Sequence, residues 1–144
     1  MLCFVNVKGQ SYSDLNELTG FSIKVYYSSG AEKRARTIAE QCEKTIAYVN
    51  RLVDFSPNVS LFVLSPEHWK KYATFPVYGM PHYPDNHRLF VAAQDNEFWK
   101  SFIPPLDQLP KDLSDKVKKA YTMEDGSLSM MRFFDLLALH ELGH

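Results

Sequence analysis

Cysteine is scarce in this chain. Only Cys3 and Cys42 occur among 144 residues, and they form no C-x-x-C pair. Cys42 falls on the apolar face of a predicted helix, so we interpret it as a small core residue. Without a cysteine framework, the sequence leaves the redox compartment open.

An excess of charge of either sign is also missing. The formal net charge is −1, which gives no electrostatic case for binding nucleic acid or an anionic membrane surface. No apolar run approaches the ~18 residues of a membrane-spanning helix, so we expect no membrane span. The first ten residues lack the basic lead and the long apolar run of a signal peptide. The sequence therefore assigns no cellular location.

Three common motifs of nucleophilic catalysis and phosphate binding do not occur: G-x-S-x-G, G-x-x-x-x-G-K-[ST] and G-x-G-x-x-G. Their absence removes the simplest serine hydrolase, P-loop and dinucleotide-binding interpretations. What the chain does have is 45% apolar and 14% aromatic residues. That composition is enough for the core of one domain, which we assign to residues 1–144.

The hydrophobic pattern predicts strands alternating with helices. Strands are predicted at 21–27, 59–64 and 88–93, and a long amphipathic helix at 30–53 separates the first two. A strand–helix–strand crossover makes those two strands parallel neighbours or near neighbours. The predicted fold class is α+β, a twisted mixed sheet with helices packed on one face.

Shorter signals mark the ends of other elements. Ser29-Gly30-Ala31-Glu32 fits a capping box at the start of the long helix, and Ser65-Pro66 starts a second helix. Asp95 can cap a short helix, and Pro110 opens another. Two short extended segments are also predicted, at 2–7 and 75–80.

The chain ends in His140-Glu141-Leu142-Gly143-His144, an H-E-x-x-H motif. Composition alone would produce this motif in about one such chain in a hundred. On a helix, His140 and His144 lie one turn apart on the same face and suit two nitrogen ligands of one Zn²⁺. Glu141 stands beside them as a general base for a water molecule, so the motif predicts zinc-assisted amide hydrolysis.

The residues before the motif are apolar and predict a helix from about 127 to 144. Helical rotation places Phe133, Leu136 and Leu137 below the two histidines and Asp135 nearly opposite them. Because this helix is apolar almost all round, we expect it to be buried beside the sheet.

The segment ALHELGH, residues 138–144, resembles the first half of the active-site helix signature of the zincin metallopeptidases. The upstream order of elements is also similar to a zincin catalytic half-domain. This resemblance implies that His140 and His144 are zinc ligands, that Glu141 is the catalytic base and that the substrate is a peptide or protein. It further implies that the outer strand, here 88–93, binds substrate by antiparallel pairing.

Zincins take their third protein ligand from downstream of the second histidine, whereas this chain stops at His144. We therefore expect a domain incomplete at its C-terminus, a fragment that is inactive by itself. Two alternatives stay open. One is a non-catalytic zincin-like module used for binding, and the other is a domain with an accidental motif and no affinity for metal.

Several further side chains have two interpretations each. His82 and His87 flank a proline-rich turn and are either additional site residues or solvated loop histidines. Tyr78 and Tyr83 are either oxyanion donors or packing residues, and His68 is expected at the surface. The aromatic residues Trp69, Phe98, Trp99 and Phe102 are interpreted as core, with an interaction patch as the alternative. Lys116, Lys118 and Lys119 are interpreted as a solvated helix face.

Overall fold

A computed structural model of the chain describes residues 11–54, 56–85 and 87–143. The predicted strand at 2–7 lies outside these residues. Four strands form one mixed sheet in the order in which they occur along the chain. They are β1 (Asn16–Leu18), β2 (Lys24–Tyr27), β3 (Ser60–Leu64) and β4 (Arg88–Ala92).

The strand directions follow from the connections. β1 and β2 are antiparallel, whereas β2 pairs parallel with β3 and β3 pairs parallel with β4. The predicted mixed sheet and the parallel neighbours on either side of the long helix are therefore confirmed. β1 was not predicted, because three residues are too few to show an alternating pattern in a segment rich in turn formers.

Five helices accompany the sheet in the described residues. They are α1 (Glu32–Leu52), α2 (Pro66–Tyr72), α3 (Glu97–Lys100), α4 (Lys111–Tyr121) and α5 (Met131–Leu142). α1 buries Ala35, Ile38 and Cys42 at the spacing of three and four that predicted it, so Cys42 is the expected core residue. None of the described helices is both long and apolar enough to cross a membrane.

Both faces of the sheet are buried, and by different elements. Along β3, Leu61 and Val63 belong to one core, which α1 and α5 complete. Phe62 and Leu64 point the other way, into a second, aromatic core that includes Trp69 of α2. The prediction of helices on one face was therefore wrong, because seven residues of α2 give too short a pattern to assign a face.

The helix starts depend on local hydrogen bonds that the sequence predicted only in part. Ser65 caps α2 as expected, and its side chain accepts from the N–H of His68 at 3.4 Å. The capping box before α1 was wrong: the cap residue is Ala31, which has no capping side chain. The reason is a backbone turn, in which the Ala31 N–H donates to the carbonyl oxygen of Ser28.

Asp95 was also assigned to the wrong helix. Asn96 caps α3 by accepting from the Phe98 N–H at 3.1 Å. The Asp95 carboxylate instead accepts from the backbone N–H of Met130, at 3.2 Å, just before α5 begins. Asp95 thus fixes the start of the helix that carries the motif.

The segment 75–80, which was predicted to be extended, forms no strand of the sheet, and its backbone turns at Gly79 with a φ of 120°.

Candidate functional site

The candidate site lies at the end of α5, which runs through His140 and Glu141 to Leu142. The N–H of Gly143 donates to the carbonyl oxygen of His140 at 3.0 Å, so the last turn is closed by a hydrogen bond. The helical placement of His140 and Glu141 is as predicted. His144 lies outside the described residues, and its position relative to His140 stays a prediction.

α5 is not buried all round, which corrects the prediction from composition. Met131, Phe134, Ala138 and Leu142 are buried, at a spacing of three and four that defines one face. The opposite face is open: Phe133 is 42% exposed, Leu136 is 68% exposed, and His140 is exposed too. The apolar residues of this stripe therefore lead along the helix surface to the first histidine of the motif.

Asp135 lies on the side of α5 that meets α1. Its carboxylate accepts two hydrogen bonds from the guanidinium of Arg34, one of them from Nη1 at 2.9 Å. Arg34 also points Nε at the carbonyl oxygen of Ala92, at 3.4 Å. This cation therefore joins α1, the motif helix and the end of β4, and it fixes the rotation of α5.

The donor atoms at the end of α5 suit Zn²⁺ in kind. An exposed imidazole is a common zinc ligand, and the half-buried Glu141 next to it is a carboxylate that could act as a base. No group of three His, Cys, Asp or Glu is arranged to hold a metal ion in 11–54, 56–85 or 87–143. The described residues thus supply His140 alone of the two predicted ligands.

β4 is the last strand of the sheet in the described part of the chain, as expected for a substrate-binding strand, but its outer edge is occupied. The Phe90 N–H donates to the carbonyl oxygen of His82 at 3.0 Å, and the His82 N–H donates back at 3.3 Å. Further along the edge, Asp85 accepts from the Arg88 N–H at 3.0 Å. A peptide can therefore pair with the middle of β4 only if His82 leaves it.

The ring of His82 is held as firmly as its backbone. Nδ1 donates to the carbonyl oxygen of Met80 at 3.0 Å, and Nε2 accepts from the N–H groups of Thr74 and Phe75 at 3.2 and 3.4 Å. Burial lowers the pKa of His82, and the negative charge of Glu141 acts in the opposite direction. With both nitrogens engaged, His82 is a structural residue beside the candidate site.

A second polar cluster links Ser28, His68 and Asp14. The Ser28 hydroxyl lies 2.7 Å from Nδ1 of His68, and Nε2 of the same ring lies 3.4 Å from the Asp14 carboxylate. The imidazole of His68 therefore bridges the Ser28 hydroxyl and the Asp14 carboxylate. His68 is thus half-buried and bonded, and the expected surface position was wrong.

This cluster has the residue types of a serine hydrolase triad but not its accessibility. Ser28 is only 2% exposed, and its Oγ already accepts from the Ser65 N–H at 2.8 Å. Lys71 and the Tyr72 hydroxyl both donate to Asp14 and, through these bonds, lower the pKa of Asp14 to about 2. The cluster therefore joins the start of the described chain to β2 and α2 rather than facing a substrate.

The remaining candidates have structural partners. The Tyr78 hydroxyl donates to the carbonyl oxygen of Leu64 at 2.9 Å and accepts from the Gln94 N–H at 3.1 Å. It is therefore a packing residue and not a free oxyanion donor. Tyr83 packs against the core that α1 and α5 share. His87 is an exposed loop histidine whose Nδ1 faces the carbonyl oxygen of Asn58 at 3.3 Å.

Comparison with protein-family models, with curated proteins and with solved structures finds no match to this chain. The residues and their geometry are therefore the basis for assigning a function.

Proposed function

We propose that this chain is part of a zinc-dependent metallopeptidase in which His140 and His144 bind the metal and Glu141 is the general base. One observation carries the proposal: α5 continues through both His140 and Glu141 and leaves the His140 side chain exposed. The H-E-x-x-H order on a continuous helix is the arrangement that zinc peptidases need.

Each residue has a separate task in this proposal. His140 and His144 would hold the metal through ring nitrogens, and a third protein ligand would be needed for catalysis. Bound Zn²⁺ would supply Lewis acidity toward a carbonyl group and a water molecule. Glu141 takes a proton from the attacking water and delivers it to the leaving amine. The substrate class is a peptide or protein.

A second candidate is a non-catalytic module that binds metal or a partner without hydrolysis. It is favoured by the occupied edge of β4, where His82 holds both outward-facing backbone groups of Phe90. A substrate strand would have to displace these two bonds before it could pair.

Zinc binding to the 144-residue chain tests the shared part of both candidates. We expect at most one weakly bound zinc ion per chain by calorimetry, because the motif supplies two of the three protein ligands of a catalytic zinc site. His140→Ala should weaken binding by at least about a hundredfold, because residues that merely orient ligands are already worth about 10- to 100-fold. His87→Ala removes an exposed histidine outside the motif and should leave the affinity unchanged. Equal zinc affinity in both variants would refute the metal site.

Hydrolysis separates the enzyme from the binding module. In a form of the protein that supplies a third ligand, Glu141→Gln should keep zinc bound and reduce peptide cleavage by about a hundredfold or more. The control is Glu124→Gln, an exposed carboxylate in the turn before α5. Cleavage that persists at a near-normal rate in Glu141→Gln contradicts the proposed base.

A further inference from the structure

A groove of about 440 Å³ lies between α1, α4 and α5. Its floor is apolar and is made by Phe133, Leu136 and Leu139 of α5 together with Ala120 of α4. Leu139 immediately precedes His140, so the groove runs beside the candidate metal site but contains none of its residues. Leu136 is 68% exposed and Phe133 is 42% exposed, which leaves a sizeable apolar surface in water.

A polar atom in the wall of the groove lacks a partner. The side-chain oxygen Oε1 of Gln41, on α1, is buried and accepts no hydrogen bond within the described residues. A buried acceptor of this kind costs about 1–3 kcal/mol unless a donor reaches it. The oxygen is shielded from the groove, so the donor of an occupant would reach it only after the Gln41 side chain rotates toward the groove.

The charge around the groove is positive. Lys44 of α1 and Arg132 of α5 both line it. The carboxylate that lines it, Asp135, is already neutralised by its ion pair with Arg34. α4, the third wall, carries the exposed residues Lys111, Lys116, Lys118 and Lys119 against the exposed Asp112 and Asp115, so this helix is also positive on balance. The rim therefore favours an acidic occupant and disfavours the basic α4 of a second copy of this chain.

The shape of the groove favours a protein segment over a small molecule. Binding sites for small ligands usually bury about 70–90% of the ligand, whereas the apolar side chains of this groove stand largely exposed. All three walls are helices, whose backbone groups are already bonded within each helix. A strand would find no edge to pair with, but an incoming helix satisfies its own backbone.

We propose that this groove binds an acidic amphipathic helix of a partner protein. Leucine-type residues at a spacing of three and four would pack on Leu136, Phe133 and Leu139. Glutamates on the flanks of that helix would face Lys44 and Arg132. This docking surface does not depend on the proposed peptidase activity, and zinc takes no part in it.

The experiment uses the 144-residue chain without zinc and a fluorescent helical peptide of about 18 residues, roughly five turns. The probe carries leucines on one face and glutamates on both flanks; a second probe has lysine at every glutamate position. Fluorescence anisotropy should show saturable binding of the acidic probe. Binding should weaken as salt is added, because the flanking charges are exposed.

Three variants locate the binding. Leu136→Ser should weaken the acidic probe roughly tenfold, whereas Leu52→Ser, on α1 at 67% exposure and outside the groove, should not change it. Lys44→Glu should weaken the acidic probe by a few-fold and strengthen the basic one, as expected for a charge at the rim. Lys44, Leu52 and Leu136 are all exposed, so none of these changes threatens folding.

Each alternative result overturns the proposal. Equal binding by Leu136→Ser and Leu52→Ser places the probe elsewhere, and stronger binding of the basic probe reverses the assigned charge. The absence of saturable binding shows that the groove does not accept an acidic helix. Self-association through Leu136 shows that a second copy of this chain, and not an acidic helix, occupies the groove. Because no zinc is present, none of these results bears on the metal site.

Discussion

Arg34 on α1 and Asp135 on α5 form a two-point ion pair in which the two side chains are 17% and 16% exposed. Asp135 lies five residues before His140 on the same helix. The ion pair therefore sets the rotation of α5 and, with it, the direction in which the side chains of the motif point. A planar guanidinium and a carboxylate can form two parallel hydrogen bonds. This single contact therefore restricts the orientation of α5.

Removing the cation should cost more than removing the whole pair. Arg34→Met leaves the Asp135 carboxylate half-buried without its partner, and we expect a loss of about 2–3 kcal/mol of unfolding free energy. Arg34→Met combined with Asp135→Leu should recover part of that loss. Lys100→Met breaks an exposed pair with Glu97 and should change stability by less than about 1 kcal/mol. Urea unfolding of the parent chain, Arg34→Met, the double variant and Lys100→Met measures these differences. A double variant that is less stable than Arg34→Met would contradict the expected cost of an unpaired carboxylate.

Ser28 should matter for stability rather than for catalysis. Its Oγ is the acceptor for the half-buried Ser65 N–H and the partner of His68, so Ser28→Ala should cost about 1–3 kcal/mol. The neighbouring Ser29 is exposed, and its hydroxyl accepts from Asn16 at 3.3 Å. Ser29→Ala should stay within about 0.5 kcal/mol of the parent. Thermal unfolding compares the two, and equal stability would show that the Ser28 bonds contribute nothing.

The sequence predicted the elements with long patterns best. α1 has 21 residues and a repeating apolar face, and the strand predicted at 59–64 is β3 within one residue. The face of a short helix and the covering of α5 could not be predicted in the same way. Periodicity shows that Phe133 and Leu136 share a side of the helix, but not whether another element packs against that side.

In the candidate site, too, the sequence predicted the placement of residues that are neighbours in the chain but not the contacts between distant ones. His140 and Glu141 are neighbours in sequence, so helix geometry alone places them together. The contact of Ser28 with His68 spans 40 positions, and that of Arg34 with Asp135 spans 101. No local spacing encodes such contacts, since they depend on how the helices pack on the sheet. The backbone pairing of His82 with Phe90 was missed because an isolated bridge leaves no alternating pattern.

Gly79 lies against the indole of Trp99, and a side chain at this position would clash with the ring. Its φ is 120°, and a Cβ there would lie 2.8 Å from Cδ1 of Trp99. The ring cannot move away freely, because its Nε1 donates to the carbonyl oxygen of Tyr78 at 2.8 Å. Gly79→Ala should therefore cost about 2–4 kcal/mol, more than backbone strain alone.

Gly126→Ala is the matched control for Gly79→Ala. Gly126 has a φ of 83°, but a Cβ there would meet nothing within 4 Å. Backbone strain alone should cost roughly 1–2 kcal/mol. The difference between the two variants in denaturant unfolding measures the clash with Trp99, and a cost at Gly79 no larger than that at Gly126 would contradict it.

His82 should make the stability of the fold depend on pH. Burial holds its pKa below the ordinary 6.5, so between the folded and unfolded values the unfolded chain binds a proton that the folded chain does not. His82 therefore does not lower the free energy of unfolding well above pH 6.5. That free energy falls as the pH drops from 6.5 through the folded pKa. Below the folded pKa, the Nε2 acceptor for Thr74 and Phe75 is lost.

Urea unfolding between about pH 8 and pH 5 tests this linkage, since histidine titrates in that range. His82→Gln keeps a neutral acceptor and cannot titrate, so its stability should vary less steeply with pH than that of the parent chain. Ser29→Ala changes an exposed residue that does not titrate and should retain the parent slope. A direct titration of the His82 ring by NMR should give a pKa below 6.5. An equal or higher value, or a His82→Gln slope as steep as the parent's, would mean that burial does not hold this ring neutral.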